Sequence, residues 1–488
     1  MEATESSPLS AAAHARRAAV ARGRALFNRA DFWASHEAWE AAWLAADGAE
    51  RDGLQGLIQA AAAMHKFIVQ DNAPGAVRLI DRALVGLERV GARGFGLDIA
   101  SLSGELRQWR VRLVDGPPRG ASIIGLPHLA LAPAEVGARP LRVEAVDVRL
   151  IEDHGRRAVL ATVRADGIEG WGESMLPWNE HGTWDAICFG LGPALLAEPV
   201  VSPAELSIVW RDVVAEPRAA AALEMAVWDL AARRDRVPLH VALGATARPV
   251  DVAMRVHGVT AAALAEGIGA ARAAGFAGVH LPARPNADRR LLPGLARELA
   301  GLWFAFDLDG AYRLADREVL AVLDGLGPAF LHRALPDRAI ADRVRLARWL
   351  SRPLSAAGVS NAHELHNDHA LGAAAVVLVD PTTVPLSEAV LVLEAAVALG
   401  VQAWVGAPSL TPIAAAAALS LAVLPGATLP CAPGDGFGRW GHIVGLDGHV
   451  VGLDAGGRWQ PSTRPGIGID PPLDWLAAHE VRHERLHV

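Results

Sequence analysis

From Gly244 onward, short apolar runs alternate with longer stretches in which apolar residues recur every three or four positions. The apolar runs are 250–256, 277–281, 302–306, 329–331, 353–356, 374–379 and 403–405. The helical stretches between and after them are 261–274, 289–300, 316–326, 340–350, 362–370, 386–399 and 413–424. This alternation predicts parallel strands joined by helices. Seven or eight such units fit the length and favour a (β/α) barrel of the TIM type, with a doubly wound sheet as the alternative.

One of these strands ends in acidic residues. Residues 301–312 read GLWFAFDLDGAY, so that an apolar run is followed by Asp307, Asp309 and a glycine turn. In a barrel of parallel strands, the residues at the carboxyl ends line the mouth, where active sites are built. The sequence therefore predicts two carboxylates at the barrel mouth.

Other patterns precede and follow the barrel. Residues 1–114 have helical periodicity and short loops, which predicts an all-α bundle. Residues 115–139 are rich in proline and glycine and predict a linker. Alternating strands and a helix in 140–246 predict an α+β cap, followed by the barrel in 247–435 and a tail in 436–488. In that tail, His479, His483 and His487 have the four-residue spacing of one helix face, where they form either a weak metal site or a solvated terminal helix.

Composition excludes several classes of function. The net charge of −8 gives no basic surface for nucleic acid. The longest mainly apolar run, 413–424, is shorter than the roughly 20 residues that span a bilayer, and the two cysteines lack metal-type spacing. We expect a cytoplasmic protein without membrane or nucleic-acid partners. The chain has one lysine, Lys66, so no lysine base is available beyond the bundle.

Polar residues recur at helical spacing inside the bundle. His36 and Glu40 are four residues apart, with Glu37 between them, and Gln55 and Gln59 have the same spacing on the next helix, which also carries His65. Such groups between packed helices could hold a metal or a small ligand. The alternative, which we favour, is a buried hydrogen-bond network that fixes the pairing of the helices.

Two parts of the chain resemble known families. The HE-x-x-E and GLIQ patterns within residues 20–105 resemble the small helical domain-of-unknown-function family 309. The segments GWGE at 170–173, AALEMAVWDLA at 221–231, HGV at 257–259, FDLDGAY at 306–312 and RPGIGI at 464–469 resemble the enolase superfamily. They are most similar to its o-succinylbenzoate synthase / N-succinylamino acid racemase branch, which implies a lyase or isomerase with a cap, a modified barrel and a tail that returns to the cap.

The second resemblance also implies a Mg²⁺ ion held by three carboxylates and a set of lysine bases, most of which are replaced here. His280 and Pro282 stand at the family's Lys-x-Lys motif. Asp307 keeps the first metal position, Asp309 replaces an asparagine, and His332 replaces the second metal ligand. The remaining positions carry Ala357-Gly358-Val359 for the third ligand, Asp380 for the sixth-strand lysine and a residue near Leu410 for the seventh-strand glutamate.

These replacements leave three hypotheses. In the first, which we favour, the barrel is a pseudoenzyme scaffold that binds a small carboxylate or a partner. In the second, the barrel is an active lyase or racemase, or a re-equipped metalloenzyme in which His280, Asp307 and His332 bind Fe, Zn or Mn, with Asp309, Arg333 and Asp380 in acid–base or anion-binding roles. In the third, the bundle carries the activity and the barrel assembles it into a homo-oligomer.

A last set of residues belongs to the predicted cap. Glu173, together with Trp171 and Trp178, could line a capping loop over the barrel mouth, as the resemblance implies. Packing within the cap is the equally weighted alternative.

Overall fold

The computed structural model of the chain describes residues 19–20, 23–24, 26–28, 30–92, 94–116, 126–127, 129, 140–176, 180–197, 199–200, 202–206, 210, 216–285, 293–336, 339–355, 358–373, 375–434, 453–454, 458–469 and 473–487. The chain divides into two compact units, residues 1–134 and 135–488, a boundary that falls inside the predicted linker. No helix of the described residues is both long enough and apolar enough to cross a bilayer.

The first unit is helical, as its periodicity predicts. Its main helices are α1 (Phe32–Leu44), α2 (Gly48–Ile68), α3 (Ala73–Val90) and α4 (Ile99–Asp115). The side chains of Asp31, Asn72 and Asp98 accept hydrogen bonds from backbone N–H groups in the first turns of α1, α3 and α4, so three helices begin at capping residues. Leu129, within the predicted linker, is fully buried in the core of this unit.

The second unit begins with the cap. Three antiparallel strands, β1 (Ala145–Asp153), β2 (Arg156–Ala165) and β3 (Ile168–Met175), are followed by α5 (Glu180–Ala186), α6 (Gly192–Ala197), α7 (Pro217–Arg234) and α8 (Leu239–Ala242). Strand β3 lies against α7, and a Cβ atom at Gly172 would come within 1.9 Å of the carbonyl oxygen of Ala222 on that helix. The glycines of the GWGE segment are therefore required for the close approach of strand and helix.

The barrel follows with alternating strands and helices. They are β4 (Val250–Asp251), β5 (Ala253–Arg255), α9 (Ala261–Ala273), β6 (Gly278–Pro282), α10 (Ala296–Leu299), β7 (Trp303–Asp307), α11 (Arg317–Gly325), β8 (Leu331–His332), α12 (Ile340–Ala347), β9 (Leu354–Ser355), α13 (Ala362–Ala370), β10 (Val376–Val379), α14 (Leu386–Leu399), β11 (Gln402–Val405) and α15 (Pro412–Ala422). Strands β5 to β11 form one parallel sheet in chain order. Residues 431 and 432 close it, because Cys431 bridges Val252 and Ala432 bridges Gly406.

Side chains alternate between the two faces of the barrel strands, as a period of two requires. Val279, Leu281, Phe304 and Phe306 pack in the core that includes residues of the surrounding helices. Ala305, Phe330 and Trp404 form a separate cluster. Since Asp307 lies two residues beyond Ala305 on the same strand, it faces the same side at the carboxyl end.

The tail returns to the cap, but not in the predicted form. Helix α16 (Leu473–His479) is followed by strand β13 (Glu480–His487), and a short strand β12 (Arg458–Trp459) pairs with β4. Strand β13 pairs antiparallel with β1, with His487 opposite Ala145. The prediction of a helix that carries His479, His483 and His487 on one face is therefore wrong beyond His479. Pairing with a strand more than 300 residues away overrides the local four-residue spacing.

Candidate functional site

The acids of the FDLDGAY segment lie at the carboxyl end of β7, where each is paired with arginine. Nη2 of Arg255, at the end of β5, lies 2.9 Å from Oδ2 of Asp307. The backbone N–H of Asp309 donates to Oδ1 of Asp307 at 3.2 Å. Both carboxylate oxygens of Asp307 are thus occupied, Oδ2 by a guanidinium and Oδ1 by a backbone N–H. Burial acts to raise the pKa of this carboxyl, but His332, Arg255 and the Asp309 N–H outweigh burial, and the pKa is lowered.

Asp309 is held by two further arginines. Nη2 of Arg284 lies 3.0 Å from Oδ2, and Nη1 of Arg333 lies 3.1 Å from Oδ1. Asp309 and Arg333 both have positive φ, of 50° and 48°. A left-handed backbone at a residue other than glycine is uncommon and persists where the surroundings hold it. Here the ion pair joins the two residues, and the carbonyl of Arg333 accepts a bond from the Gly310 N–H at 2.7 Å.

His280 lies among aromatic rings. Its ring centroid is 4.6 Å from that of Trp404, 5.5 Å from that of Trp303 and 5.8 Å from that of Phe330. The side chain is buried, and neither ring nitrogen has a hydrogen-bond partner among the described residues. Burial lowers the pKa of His280 to about 3, so the imidazole is neutral at pH 7.

His332 is bonded within the barrel. Its Nδ1 lies 3.1 Å from Oγ of Ser355 on the neighbouring strand β9. Its ring makes an edge contact with Trp404 at a centroid distance of 5.1 Å. Burial lowers its pKa to about 4, against the opposing effect of Asp307. Ser355 was not singled out in the sequence; it becomes visible only through the register of β8 and β9.

Asp380 follows β10, and its buried side chain accepts hydrogen bonds from Thr382. Its Oδ1 accepts from the backbone N–H of Thr382 at 2.8 Å and from the hydroxyl of Thr382 at 2.7 Å. Burial raises its pKa to about 6, while Thr382, Arg218 and Arg255 oppose that shift. Asp380 therefore belongs, with Asp307, Asp309 and the arginines beside them, to the charged residues at the barrel mouth.

These residues do not fit the divalent metal that the resemblance implies. The cation beside the Asp307 carboxylate is the guanidinium of Arg255, whose Nη2 lies 2.9 Å from Oδ2. Within the described part of the chain, His280, Asp307 and His332 do not form a group of three whose ligand atoms lie within 4.8 Å of one another. Ala357, in the Ala357-Gly358-Val359 segment that the resemblance puts at the third ligand, lies outside the described residues, and none of these three residue types has a side-chain ligand atom.

The buried carboxylate of Glu173 accepts four hydrogen bonds within the second unit. It is fully buried, and its Oε1 accepts from the N–H groups of Leu410 at 2.6 Å and Thr411 at 3.0 Å. Its Oε2 accepts from the hydroxyl of Thr411 at 2.7 Å and from the N–H of Ala414 at 3.0 Å. Burial raises the pKa of Glu173, whereas these four donors at the start of α15 favour the carboxylate.

Glu173 lies in strand β3 rather than in a loop, and its oxygens join the cap to α15 of the barrel, so packing within the cap describes only part of its contacts. Trp171 belongs to the cap as well, because its backbone N–H donates to Asp229 of α7 at 2.9 Å. Trp178 lies outside the described residues.

In the bundle, the structure brings together part of the predicted set. His36, Glu37 and Glu40 on α1 have ligand atoms that all lie within 4.8 Å of one another. Trp33 stacks on His36 and also contacts His65 of α2, both at 5.5 Å between ring centroids. Gln55 and Gln59 lie half-buried on α2.

A closed parallel sheet, an α+β cap and charged side chains at the carboxyl ends of the strands define a capped (β/α) barrel. Residues 138–244 match the mandelate racemase / muconate lactonizing enzyme N-terminal domain, and residues 259–475 match the enolase C-terminal domain-like family. Residues 138–475 therefore belong to the enolase superfamily. Residues 20–79 match the domain of unknown function DUF309.

Individual relatives agree with that assignment. The chain is 32% identical over 205 residues to o-succinylbenzoate synthase of Geobacillus stearothermophilus, which is 40% of this chain and 54% of that relative. It is 28% identical over 315 residues to N-succinylamino acid racemase of Amycolatopsis, 62% of this chain and 84% of that relative. The chain thus spans about half the length of the first of these relatives.

A solved structure gives the same fold. N-succinyl Arg/Lys racemase from Bacillus cereus superposes with a TM-score of 0.61 at 16% identity, covering 71% of this chain and all of that chain. At this identity the likeness shows the fold alone. The predicted fold class and both predicted resemblances are confirmed.

Proposed function

We propose that the barrel does not carry out the metal-assisted proton abstraction of its superfamily and is instead a scaffold that binds a small carboxylate at its mouth. The observation that carries the proposal is the ion pair between Arg255 and Asp307. In the superfamily pattern, a metal ion beside this aspartate stabilises the negative charge that forms next to a carboxylate. Here a fixed guanidinium lies beside it.

The lysine bases that the resemblance implies are also missing from the barrel. The single lysine of the chain is in the bundle, and His280 and Asp380 stand at two of the family's lysine positions. His280 lies among aromatic rings, and Asp380 is held by Thr382. Loss of a metal ligand or a catalytic base usually costs several orders of magnitude in rate.

The charges at the mouth favour an anionic ligand. Arg218, Arg255, Arg284 and Arg333 face Asp307, Asp309 and Asp380, so four positive charges meet three negative charges. The side chains of Arg255 and Arg284 are 31% and 50% exposed. Because each guanidinium has five N–H donors in a planar fork, either one can bind a ligand carboxylate while it keeps its aspartate.

The first test is catalytic. The full-length protein is incubated with Mg²⁺ or Mn²⁺ and assayed for synthesis of o-succinylbenzoate and for racemisation of N-succinylamino acids. We expect no metal-dependent turnover above the rate without protein. Metal-dependent turnover that is lost in Asp307→Asn would overturn the proposal and support the metalloenzyme hypothesis.

The second test is binding. Titration calorimetry with o-succinylbenzoate is carried out in the presence of a chelator, on the wild type and on Arg255→Lys, which keeps the charge and loses the planar fork. We expect saturable binding that weakens at least tenfold in Arg255→Lys. Arg272→Ala is the matched control, because Arg272 donates to the carbonyls of Glu298 and Ala300, away from the mouth. Equal affinity of all three proteins contradicts a carboxylate site at Arg255.

A further inference from the structure

The HE-x-x-E segment of α1 has no part in the barrel and places three metal-binding side chains together. The ligand atoms of His36, Glu37 and Glu40 all lie within 4.8 Å of one another. Nδ1 of His36 is 3.4 Å from Oε1 of Glu37. Two atoms that bind one ion at about 2.0–2.2 Å are themselves roughly 3–3.5 Å apart, so small rotations of these side chains bring all three onto one ion.

The imidazole of this group is held in place by a neighbour. The ring of Trp33, one helical turn earlier, stacks on that of His36 with an interplanar angle of 5°. Trp33 also contacts His65 on α2, with an interplanar angle of 46°. A stacked ring that fixes the plane of a histidine reduces the freedom that this ligand loses when it binds an ion.

His36 also has an unsatisfied nitrogen. Its Nδ1 is inaccessible to solvent and has no partner with hydrogen-bond geometry among the described residues, although the carboxylate of Glu37 is close. A buried ring nitrogen without a partner is costly. A cation between the imidazole and the two carboxylates would satisfy this nitrogen and neutralise the two negative charges.

We propose that His36, Glu37 and Glu40 bind one divalent transition-metal ion, Zn²⁺ or Mn²⁺, on the surface of the helical unit. One imidazole nitrogen and two carboxylate oxygens are ligands that suit both ions. Three protein ligands leave at least one coordination position for water or a small ligand, as in catalytic rather than structural zinc sites. His65, which contacts Trp33 from α2, does not belong to this group of ligand atoms.

The test is metal binding by the full-length protein after treatment with a chelator. Zn²⁺ and Mn²⁺ are titrated by calorimetry, and Co²⁺ is added as a visible-absorption probe of the site. The test variant is the double substitution His36→Ala with Glu40→Gln. The matched control is Glu88→Gln, an exposed glutamate of α3 in the same unit. Circular dichroism checks that each variant retains its helices.

We expect the wild type and Glu88→Gln to bind one metal ion at a saturable site. In the double variant, the affinity should fall at least tenfold and the Co²⁺ absorption should disappear. The site should persist in Asp307→Asn, which separates it from the barrel mouth and from the outcome of the carboxylate tests. Stoichiometric binding that the double variant keeps, or binding without saturation in the wild type, overturns the proposal.

Discussion

Replacing Glu173 with glutamine tests whether this buried carboxylate joins the cap to the barrel. The substitution keeps the shape of the side chain but puts an NH₂ group where one oxygen accepts two hydrogen bonds. The two charge-assisted hydrogen bonds to that oxygen, of about 1.5–3 kcal/mol each, are lost. The two groups that donated them then face the NH₂ group, which is itself a donor. Relief from burying a charge offsets part of this cost. We expect Glu173→Gln to lower the free energy of unfolding of the second unit by about 3–5 kcal/mol.

The assay is urea unfolding with hydrogen–deuterium exchange of peptides from β3 and α15, because these report on the second unit separately from the bundle. Glu169→Gln is the control on the same strand. The Glu169 side chain is 38% exposed and pairs with Arg164 at 2.6 Å, so its loss should cost under about 1 kcal/mol. If both substitutions cost the same small amount, Glu173 does not anchor α15 as described.

Two further substitutions test contacts of the barrel. His280→Phe removes from an aromatic cluster two ring nitrogens that have no hydrogen-bond partner among the described residues, and should stabilise the fold by about 1–3 kcal/mol at pH 7.5. The pKa of His280 is about 3 in the folded protein and 6.5 in the unfolded chain, where the ring is no longer buried. Above pH 6.5 both states hold the neutral imidazole, whereas at lower pH the unfolded chain binds a proton first, so the free energy of unfolding falls with the pH. Between pH 7.5 and 5.5 the wild type should therefore lose about 1.4 kcal/mol more than the variant in urea unfolding, and parallel pH profiles would contradict this. Arg248→Met removes hydrogen bonds to the carbonyls of Ala422, Val423, Leu424 and Ala427, at and after the end of α15, and should cost about 2–4 kcal/mol by thermal unfolding. A cost below about 1 kcal/mol would show that these bonds are dispensable.

The barrel and the cap could be predicted because their signals are local. Each strand of the sheet overlaps a short apolar run, and helices α11 and α12 have apolar residues at a helical period. The partner of Asp307 could not be found in this way. In the sequence, nothing distinguishes Arg255 from other polar residues in predicted strands. Only the parallel register of β5, β6 and β7 shows that it lies beside Asp307.

Some residues that carry the resemblance form hydrogen bonds that hold segments of the second unit together. Asp229, in the AVWDLA segment, accepts hydrogen bonds from the N–H groups of Trp171 and Ile467, which lie in two other segments that carry the resemblance. Gly466 has a φ of 67°, and a Cβ atom there would be 2.0 Å from Oδ1 of Asp229. The contacts between these segments support the fold, so a family resemblance that rests on them is not by itself evidence for the reaction.

The pairing of β1 with β13 has a consequence for synthesis on the ribosome. Strand β1 leaves the ribosome more than 300 residues before its neighbour, which at roughly 5–20 residues per second is a delay on the order of 15–65 s. During this interval one edge of the new sheet has unpaired backbone groups, which is a recognised route to wrong association. Asp147 lies on that edge strand and is later enclosed by His483 and Arg485. A charge at this position would discourage apolar strands of neighbouring nascent chains until the native partner arrives.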